Sequence, residues 1–287
     1  MSQVSVFLLG GCLLHGPVNA RANSSGGRIN NVRLVSRGNL PPTYTFDEMI
    51  QVVELLRNES RMDKTVRFIH GIADDFEPKP GAGTLEAVDV VLLEPATPYE
   101  LKFHGCSIHR ACLFDLVNPI KAINVDLARL TSAWYNRGII KHDDEFRLEA
   151  AEKLSDALPD DFPNRDLVRE LLNDTVMVEG DVMAGLRRMQ ELIDRPMGIL
   201  TFINQYMPDG RPVSWPANFR EDVLNAANTL GIPVLEPYEL VGEYGVERAL
   251  KEDLRHYRDD FMPVVADSIE EFAVGIASPE TAEARSA

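Results

Sequence analysis

Short apolar runs alternate along this chain with longer segments in which apolar residues recur every three or four positions. Continuous apolar runs of strand length lie at residues 4–9, 89–93 and 198–203, with shorter candidates at 66–69 and 232–235. Such runs are typical of strands buried on both faces of a parallel sheet. Strands that alternate with helices indicate right-handed crossovers. The pattern predicts a three-layer α/β fold with a flavodoxin-like parallel sheet.

The middle of the chain departs from this alternation. Residues 99–104 alternate apolar and polar positions, which predicts a half-exposed strand. Residues 110–195 are almost wholly helical in pattern, and they fall between the third and fourth core strands. We therefore expect a single domain over residues 1–287 with a helical insertion or cap at 110–195. A polar, glycine-rich stretch at 19–38 predicts a long loop, and residues 278–287 predict a frayed tail.

A cysteine follows the first strand directly, in the sequence Gly10-Gly11-Cys12-Leu13. The two glycines permit a sharp turn toward a helix, which places Cys12 at the carboxyl end of the strand. Open α/β sheets bind their ligands at that edge. Helix amides lower the pKa of a thiol there, so Cys12 is a candidate nucleophile. The alternative is that Cys12 is a packing residue, as most buried cysteines are.

A second candidate site lies near the other end of the chain, at Asp253-Leu254-Arg255-His256. An aspartate three residues before a histidine can accept the imidazole Nδ1–H bond, which leaves Nε2 as a base. The alternative is a solvated charged loop, because acidic and basic residues crowd positions 247–260.

These two blocks, in this order, resemble the SGNH or GDSL-type hydrolase superfamily, in which Gly-Asp-Ser-Leu follows the first strand and Asp-x-x-His precedes the last helix. The resemblance implies an SGNH-like sheet with Cys12 as nucleophile, His256 as general base and Asp253 as its orienting carboxylate. Three departures stand out. Cysteine replaces serine, Gly11 replaces the family's aspartate, and Glu94-Pro95-Ala96-Thr97 stands where the family has Gly-x-Asn-Asp.

The third departure leaves the side-chain donor of an oxyanion hole unassigned, although the backbone amides of Cys12 and Leu13 can serve. The early Gly-x-Cys with a nearby histidine is also similar to bacterial capsular-polysaccharide acetyltransferases. That likeness implies acyl-coenzyme A as co-substrate and a sugar acceptor. His15, one helical turn after Cys12, is an auxiliary candidate. Asn204, Glu94 and Tyr238 follow core strands and are candidates for substrate contact.

The amino-acid composition limits the classes of partner that the protein is expected to bind. The 287 residues carry a net charge of −16, which excludes general nucleic-acid binding. The chain contains no run of about 18 apolar residues, so we do not expect membrane insertion. Residues 9–12 have some likeness to a lipoprotein signal, but the cationic segment that precedes such signals is missing. Three cysteines without dense spacing favour a reducing, cytoplasmic location.

We expect neither a metal nor a tightly bound cofactor. Four zinc-type ligands, His104, Cys106, His109 and Cys112, lie within nine residues. Structural zinc sites use two separated pairs instead, so this spacing does not favour one.

The sequence thus supports an acyl-transfer enzyme, an O-acyltransferase or an esterase, that uses Cys12, His256 and Asp253 on a carbohydrate or other small-molecule substrate. The alternative is a non-catalytic SGNH-like binding protein that has lost a complete oxyanion hole. The acyl donor, the acceptor and the oligomeric state stay open.

Overall fold

The strands of the chain divide between two sheets in a computed structural model that describes residues 3–32, 43–73, 75–76, 85–203 and 218–278. The strands are β1 (Val4–Leu9), β2 (Ile29–Asn31), β3 (Val90–Leu93), β4 (Tyr99–Phe103), β5 (Cys106–Ser107), β6 (Val176–Glu179), β7 (Met197–Leu200) and β8 (Val234–Leu235). The helices are α1 (Cys12–Ala22), α2 (Phe46–Leu56), α3 (Lys64–Ile69), α4 (Arg110–Val117), α5 (Val125–Ala133), α6 (Asp144–Asp156), α7 (Arg165–Asp174), α8 (Val182–Leu192), α9 (Phe219–Leu230), α10 (Pro237–Tyr244), α11 (Val246–Ala249) and α12 (Met262–Ala277). Two 3₁₀ segments lie at Leu85–Ala87 and Asn118–Ala122, and a π-helical segment lies at Trp134–Ile139.

The larger sheet has the order β2-β1-β3-β7-β8, and each of its neighbouring strand pairs is parallel. Numbered within this sheet, the strand order is 2-1-3-4-5, the flavodoxin-like arrangement. The predicted α/β fold with a three-layer parallel sheet is confirmed. The apolar runs are continuous because β3 and β7 are buried on both faces.

Helices cover both faces of this sheet. Phe7 and Leu9 of β1 pack into one core with α2, α8 and α9. Val6 and Leu8 point the other way, into a core shared with α1 and α12. This alternation is the two-residue period of a strand, and it produces a helical layer on each side.

The pairing register brings the ends of β1 and β3 to the same level. Leu8 pairs with Leu92 and Leu9 with Leu93, and the Glu94 amide donates to the Leu9 carbonyl at 2.8 Å. From β1 the chain continues to β2 on one side, whereas β3 lies on the other. The carboxyl ends of β1 and β3 therefore form the topological switch point, where sheets of this kind bind ligands.

Two of the predicted elements are wrong. Residues 66–69 form part of α3 rather than a strand, because the Asp63 side chain caps the helix by accepting from the Val66 amide at 2.8 Å. Val66 and Ile69 are buried while Phe68 is 52% exposed, which is a helical spacing. Within the predicted loop at 19–38, α1 runs on to Ala22 and β2 pairs with β1.

The middle of the chain has a second, smaller sheet with antiparallel order β5-β4-β6. The predicted strand at 99–104 is β4, whereas nothing in the pattern indicated β6. Side chains from this sheet and from α4 to α7 form a separate core that includes Trp134 and Phe103. Helix α8 belongs instead to the core of the parallel sheet. One domain with an insertion at 110–195 stays a prediction, and residues 279–287 of the predicted tail lie outside the described residues.

The packing of β7 against α12 gives a test of the fold. A Cβ added at Gly198 would lie 2.5 Å from Ile276 Cδ1 and 2.7 Å from Phe272 Cε1. We expect Gly198→Ala to lower the free energy of unfolding by about 1–3 kcal/mol through overpacking. Gly275→Ala is the matched control, because a Cβ there meets nothing within 4 Å. It should be neutral or stabilise helix α12 by up to about 1 kcal/mol. Equal stability of the two variants in urea unfolding would contradict this packing.

Candidate active site

A buried carboxyl group holds the turn that carries Cys12. Gly11 is the N-cap residue of α1 and offers no side chain to the helix. Glu94, which follows β3, takes over this role: its Oε2 accepts from the amides of Gly11 at 2.9 Å and Leu14 at 3.1 Å. Two of the amides at the start of the helix are thus satisfied by a residue that follows a neighbouring strand. Cys12 begins the helix at the switch point and is exposed.

The glycines before Cys12 are required for close approach rather than for an unusual backbone angle. A Cβ at Gly10 would lie 2.7 Å from Glu94 Cβ, and one at Gly11 would lie 2.8 Å from Tyr44 Cε1. The φ angle of Gly11 is −98°, which other residues adopt readily. The Tyr44 ring therefore fills the space that a side chain at position 11 would take.

The charge environment of the thiol differs from the expectation. Partial burial is the largest effect and raises the pKa of Cys12, and the Glu94 and Asp253 carboxylates raise it further. The Cys12 and Leu13 amides hydrogen-bond to the thiolate and lower its pKa, but they do not outweigh burial. The prediction that the helix lowers this pKa is wrong in its net direction. The thiol of the free protein is mostly protonated at neutral pH.

Burial also governs the carboxyl group beneath the thiol. Glu94 is 3% exposed, and this burial raises its pKa to about 8 even though the Gly11 and Leu14 amides act in the opposite direction. A neutral carboxyl under Cys12 repels a thiolate less than an ionised one would. Glu94 was a candidate for substrate contact; the structure shows it capping α1.

Asp253 and His256 share a tight turn. Leu250 and Tyr257 form an antiparallel bridge at its base. Asp253 Oδ1 accepts from the amide of His256 at 3.1 Å, and Oδ2 lies 2.5 Å from His256 Nδ1. The His256 hydrogen bond is the main reason why the pKa of Asp253 falls to about 2. An ionised Asp253 fixes the proton on Nδ1 and leaves Nε2 as the basic nitrogen.

Tyr257 anchors this turn beside the cysteine. It is 3% exposed and belongs to the same core as Leu13 and Leu14 of α1. Burial raises the pKa of its phenol, and the charges of Glu94 and Cys12 contribute in the same direction. The structure therefore brings Cys12, Asp253 and His256 to one edge of the sheet. Their catalytic roles stay predictions.

Tyr44 is a residue of this site that the sequence did not indicate. Its amide donates to Glu48 Oε2 at 2.5 Å, and its carbonyl accepts from Ala96 at 2.8 Å and Thr97 at 3.3 Å. Its ring packs on that of His109, with centroids 4.7 Å apart. Thr45 and Glu48 form a capping box at the start of α2. This sequence signal marks where the helix begins, and it does not point to Tyr44, which precedes it.

Two of the remaining candidates lie on helices that follow strands of the parallel sheet. His15 is half-buried in α1, and its amide donates to the Gly11 carbonyl at 3.1 Å. Tyr238 lies in α10 after β8, and the Arg220 guanidinium carbon lies 4.3 Å from the centre of its ring. Asn204 lies outside the described residues. The amides of Cys12 and Leu13 lie within hydrogen-bonding reach of the Cys12 sulfur, and their service as an oxyanion hole stays a prediction.

The zinc-type residues of the middle segment do not form a four-ligand cluster. His104 lies in the turn between β4 and β5, with Nδ1 3.1 Å from Asp63 and Nε2 2.9 Å from Glu170. In the described part of the chain, the one group of three or more such side chains with converging atoms is His104, Glu170 and Asp174, all exposed. Both nitrogens of His104 already have carboxylate partners there.

None of the helices within the described ranges has the length and apolar character needed to cross a membrane.

Comparison with known proteins supplies one match. The family model described as the TviD N-terminal domain matches residues 4–272, which include Cys12, Glu94, Asp253 and His256. No curated protein matches the chain.

The Glu94 cap predicts a paired effect on stability. Glu94→Ala leaves the amides of Gly11 and Leu14 without acceptors and opens a cavity, so we expect a loss of about 2–4 kcal/mol in the free energy of unfolding. Glu94→Gln retains an acceptor oxygen and should lose much less. Urea unfolding at pH 6 distinguishes the two variants, and equal losses would show that the oxygen does not cap α1.

The same carboxyl group predicts a pH dependence. Because folding raises its pKa from 4.5 to about 8, the folded state favours the protonated form. This contribution is complete below the unfolded pKa and is lost as the pH rises toward the folded pKa. The unfolding free energy of the wild-type protein should therefore decline from pH 5 to pH 8 relative to Glu94→Gln. A constant difference across that range would contradict a buried, protonated Glu94.

Proposed function

Because the chain belongs to the TviD N-terminal domain family, which is related to Vi capsular polysaccharide biosynthesis, we propose that it is an acyl-transfer enzyme acting on sugar or polysaccharide hydroxyl groups. The observation that carries this proposal is the placement of an exposed thiol at the switch point, on the same edge as an Asp–His pair. The likeness to SGNH-type enzymes supports the same assignment of roles.

In the first half-reaction, an acyl thioester such as acyl-coenzyme A is the donor. His256 Nε2 takes the proton of the Cys12 thiol while the sulfur attacks the acyl carbonyl carbon. The carbonyl π electrons move to the oxygen and form a tetrahedral oxyanion. Its collapse breaks the bond to the leaving thiolate, which receives the proton from His256. Cys12 then holds the acyl group as a thioester.

In the second half-reaction, a sugar hydroxyl replaces the leaving group. His256 takes the hydroxyl proton while the oxygen attacks the thioester carbonyl. A second oxyanion forms and collapses, which releases the Cys12 sulfur with its electron pair. The sulfur recovers a proton from His256, and the product is a sugar ester. Water in place of the sugar would give hydrolysis, so access of the acceptor decides between transferase and esterase activity.

The raised pKa of Cys12 decides whether His256 acts as the partner of a stable thiolate or as a general base. A stable thiolate–imidazolium pair would require a thiol whose pKa is strongly lowered, as in activated cysteines. Here burial and two carboxylates raise the thiol pKa. His256 therefore acts as a general base that removes the proton during the attack. Asp253 keeps the imidazole in the required tautomer and stabilises the imidazolium that forms.

One observation favours a second candidate, a binding protein that performs no chemistry. A raised thiol pKa is typical of an unreactive cysteine. This alternative predicts sugar binding that survives the loss of Cys12, together with no acyl transfer by the wild-type protein.

Substitution of the cysteines tests the proposal. The measurement is release of coenzyme A from acetyl-coenzyme A in the presence of a polysaccharide acceptor, followed by chromatography. Cys12→Ala should abolish acceptor-dependent release, whereas Cys112→Ala, at a half-buried thiol whose pKa burial raises to about 11, should keep it. Asp253→Asn should lower turnover by up to about 10⁴-fold, because His256 loses the carboxylate that fixes its tautomer. Normal turnover by Cys12→Ala would contradict the proposal.

A further inference from the structure

The proposed acyl transfer lacks an assigned side chain at the oxyanion, because no asparagine stands where the resembled family has one. The backbone amides of Cys12 and Leu13 supply two donors. A side chain from a neighbouring segment can add a third donor. We infer that the hydroxyl of Tyr44 is this donor: it hydrogen-bonds to the carbonyl oxygen of the acyl group as that group reacts at Cys12. This inference rests on the proposed function.

The position of the Tyr44 ring carries the inference. The space that a side chain would take at Gly11 ends 2.8 Å from Tyr44 Cε1 and 3.4 Å from Cδ1. Cε1 is bonded to the carbon that bears the hydroxyl group. The edge of the ring next to the hydroxyl therefore lies over the residue that precedes Cys12. A larger residue at position 11 would displace the ring, so a glycine is needed there for Tyr44 to keep this position.

The ring is held in this position from several sides. The main chain of Tyr44 is fixed by Glu48 on one side and by Ala96 and Thr97 on the other. These last two residues follow Glu94, so the segment that places the α1 cap also places Tyr44. Such fixation matters because an oxyanion donor is effective when no reorganisation accompanies the reaction.

His109 supports the ring without competing for the proton. Its Nδ1 accepts from the Ala111 amide at 3.2 Å as it caps α4, which requires a neutral imidazole. Burial, with the charges of His70 and Arg110, lowers the pKa of His109 to about 4. The neighbour of Tyr44 therefore keeps the same charge over the pH range in which an enzyme of this kind is assayed.

The hydroxyl of Tyr44 is available for a substrate. In the ranges that the structure describes, no residue accepts or donates a hydrogen bond at this hydroxyl, and the oxygen is not a buried unpaired atom. Tyr44 is half-buried. A half-buried phenol without a hydrogen-bond partner among the described residues can donate to the oxygen of an acyl group bound beside it.

The charges around Tyr44 act on its phenol in opposite directions. Burial raises the pKa of the Tyr44 phenol, and the charges of Cys12, Glu94 and Glu48 add to this, whereas the Arg110 charge acts in the opposite direction. The Arg110 side chain itself hydrogen-bonds to that of Tyr135. The Tyr44 phenol therefore keeps its proton at neutral pH and can donate it in a hydrogen bond.

The electron balance of the step is unchanged by this assignment. The sulfur–carbon bond forms while the carbonyl π pair moves to the oxygen, and Tyr44 donates a hydrogen bond without losing its proton. When the tetrahedral species collapses, the pair returns and the leaving group departs with the proton that His256 carries. Tyr44 thus stabilises charge that exists only between reactant and product.

The test compares two tyrosines that share Arg110 as a neighbour. Tyr44→Phe removes only the hydroxyl and keeps the ring that packs on Gly11 and His109. We expect kcat to fall about 10²-fold with little change in KM, as for other single oxyanion donors. Tyr135→Phe is the matched control, because burial also raises the pKa of that phenol and Arg110 also acts on it. It should keep the wild-type kcat.

The outcomes separate this inference from the proposed function. An unchanged kcat in Tyr44→Phe, or a rise in KM alone, overturns the role of Tyr44 as long as Cys12→Ala is inactive. Turnover that survives in Cys12→Ala overturns the proposed function itself. The melting temperature of Tyr44→Phe, measured beside that of Tyr135→Phe, shows that both variants are folded, so a loss of kcat confined to Tyr44 supports the inference.

Discussion

The arrangement of this site depends on one hydrogen-bonding group, the buried carboxyl of Glu94. It joins the end of β3 to the first turn of α1 through the amides of Gly11 and Leu14. Those amides would otherwise be unpaired in a buried place, and leaving such donors unsatisfied costs about 1–3 kcal/mol each. Residue 10 must be glycine because Glu94 lies so close, and residue 11 must be glycine because the Tyr44 ring does. Cys12 is then the first residue of the helix, and its side chain is exposed.

A second consequence is electrostatic. Burial raises the pKa of Glu94 to about 8 and also raises the pKa of Cys12, so the resting site holds a neutral carboxyl and a neutral thiol. Negative charge on the sulfur and on the acyl oxygen then develops only when a substrate reacts. Asp253, which is exposed and pairs with His256, is ionised throughout. Tyr44 is fixed by the segment that follows Glu94, and its ring packs against Gly11.

The sequence predicted the fold and the position of Cys12 well, for a physical reason. Fully buried strands need continuous apolar runs, and a residue that directly follows such a run must lie at the carboxyl edge of the sheet. The Asp253–His256 pair could also be predicted from the sequence, because residues three positions apart lie within a single turn. Contacts between distant segments could not be predicted: the Glu94 cap joins residues 83 positions apart, and Tyr44 reaches Gly11 from a loop. The error at residues 66–69 arose because four apolar-rich residues fit a strand or a capped helical turn equally well.

Detection of the acyl-enzyme tests the central claim most directly. The protein is mixed with acetyl-coenzyme A without acceptor, quenched in acid, digested and examined by mass spectrometry. The account predicts one acetyl group on the peptide that contains Cys12, removable by neutral hydroxylamine as a thioester is, and lost when a polysaccharide acceptor is added before the quench. An acetyl group at another residue, or no adduct in a protein that turns over acetyl-coenzyme A, would contradict it.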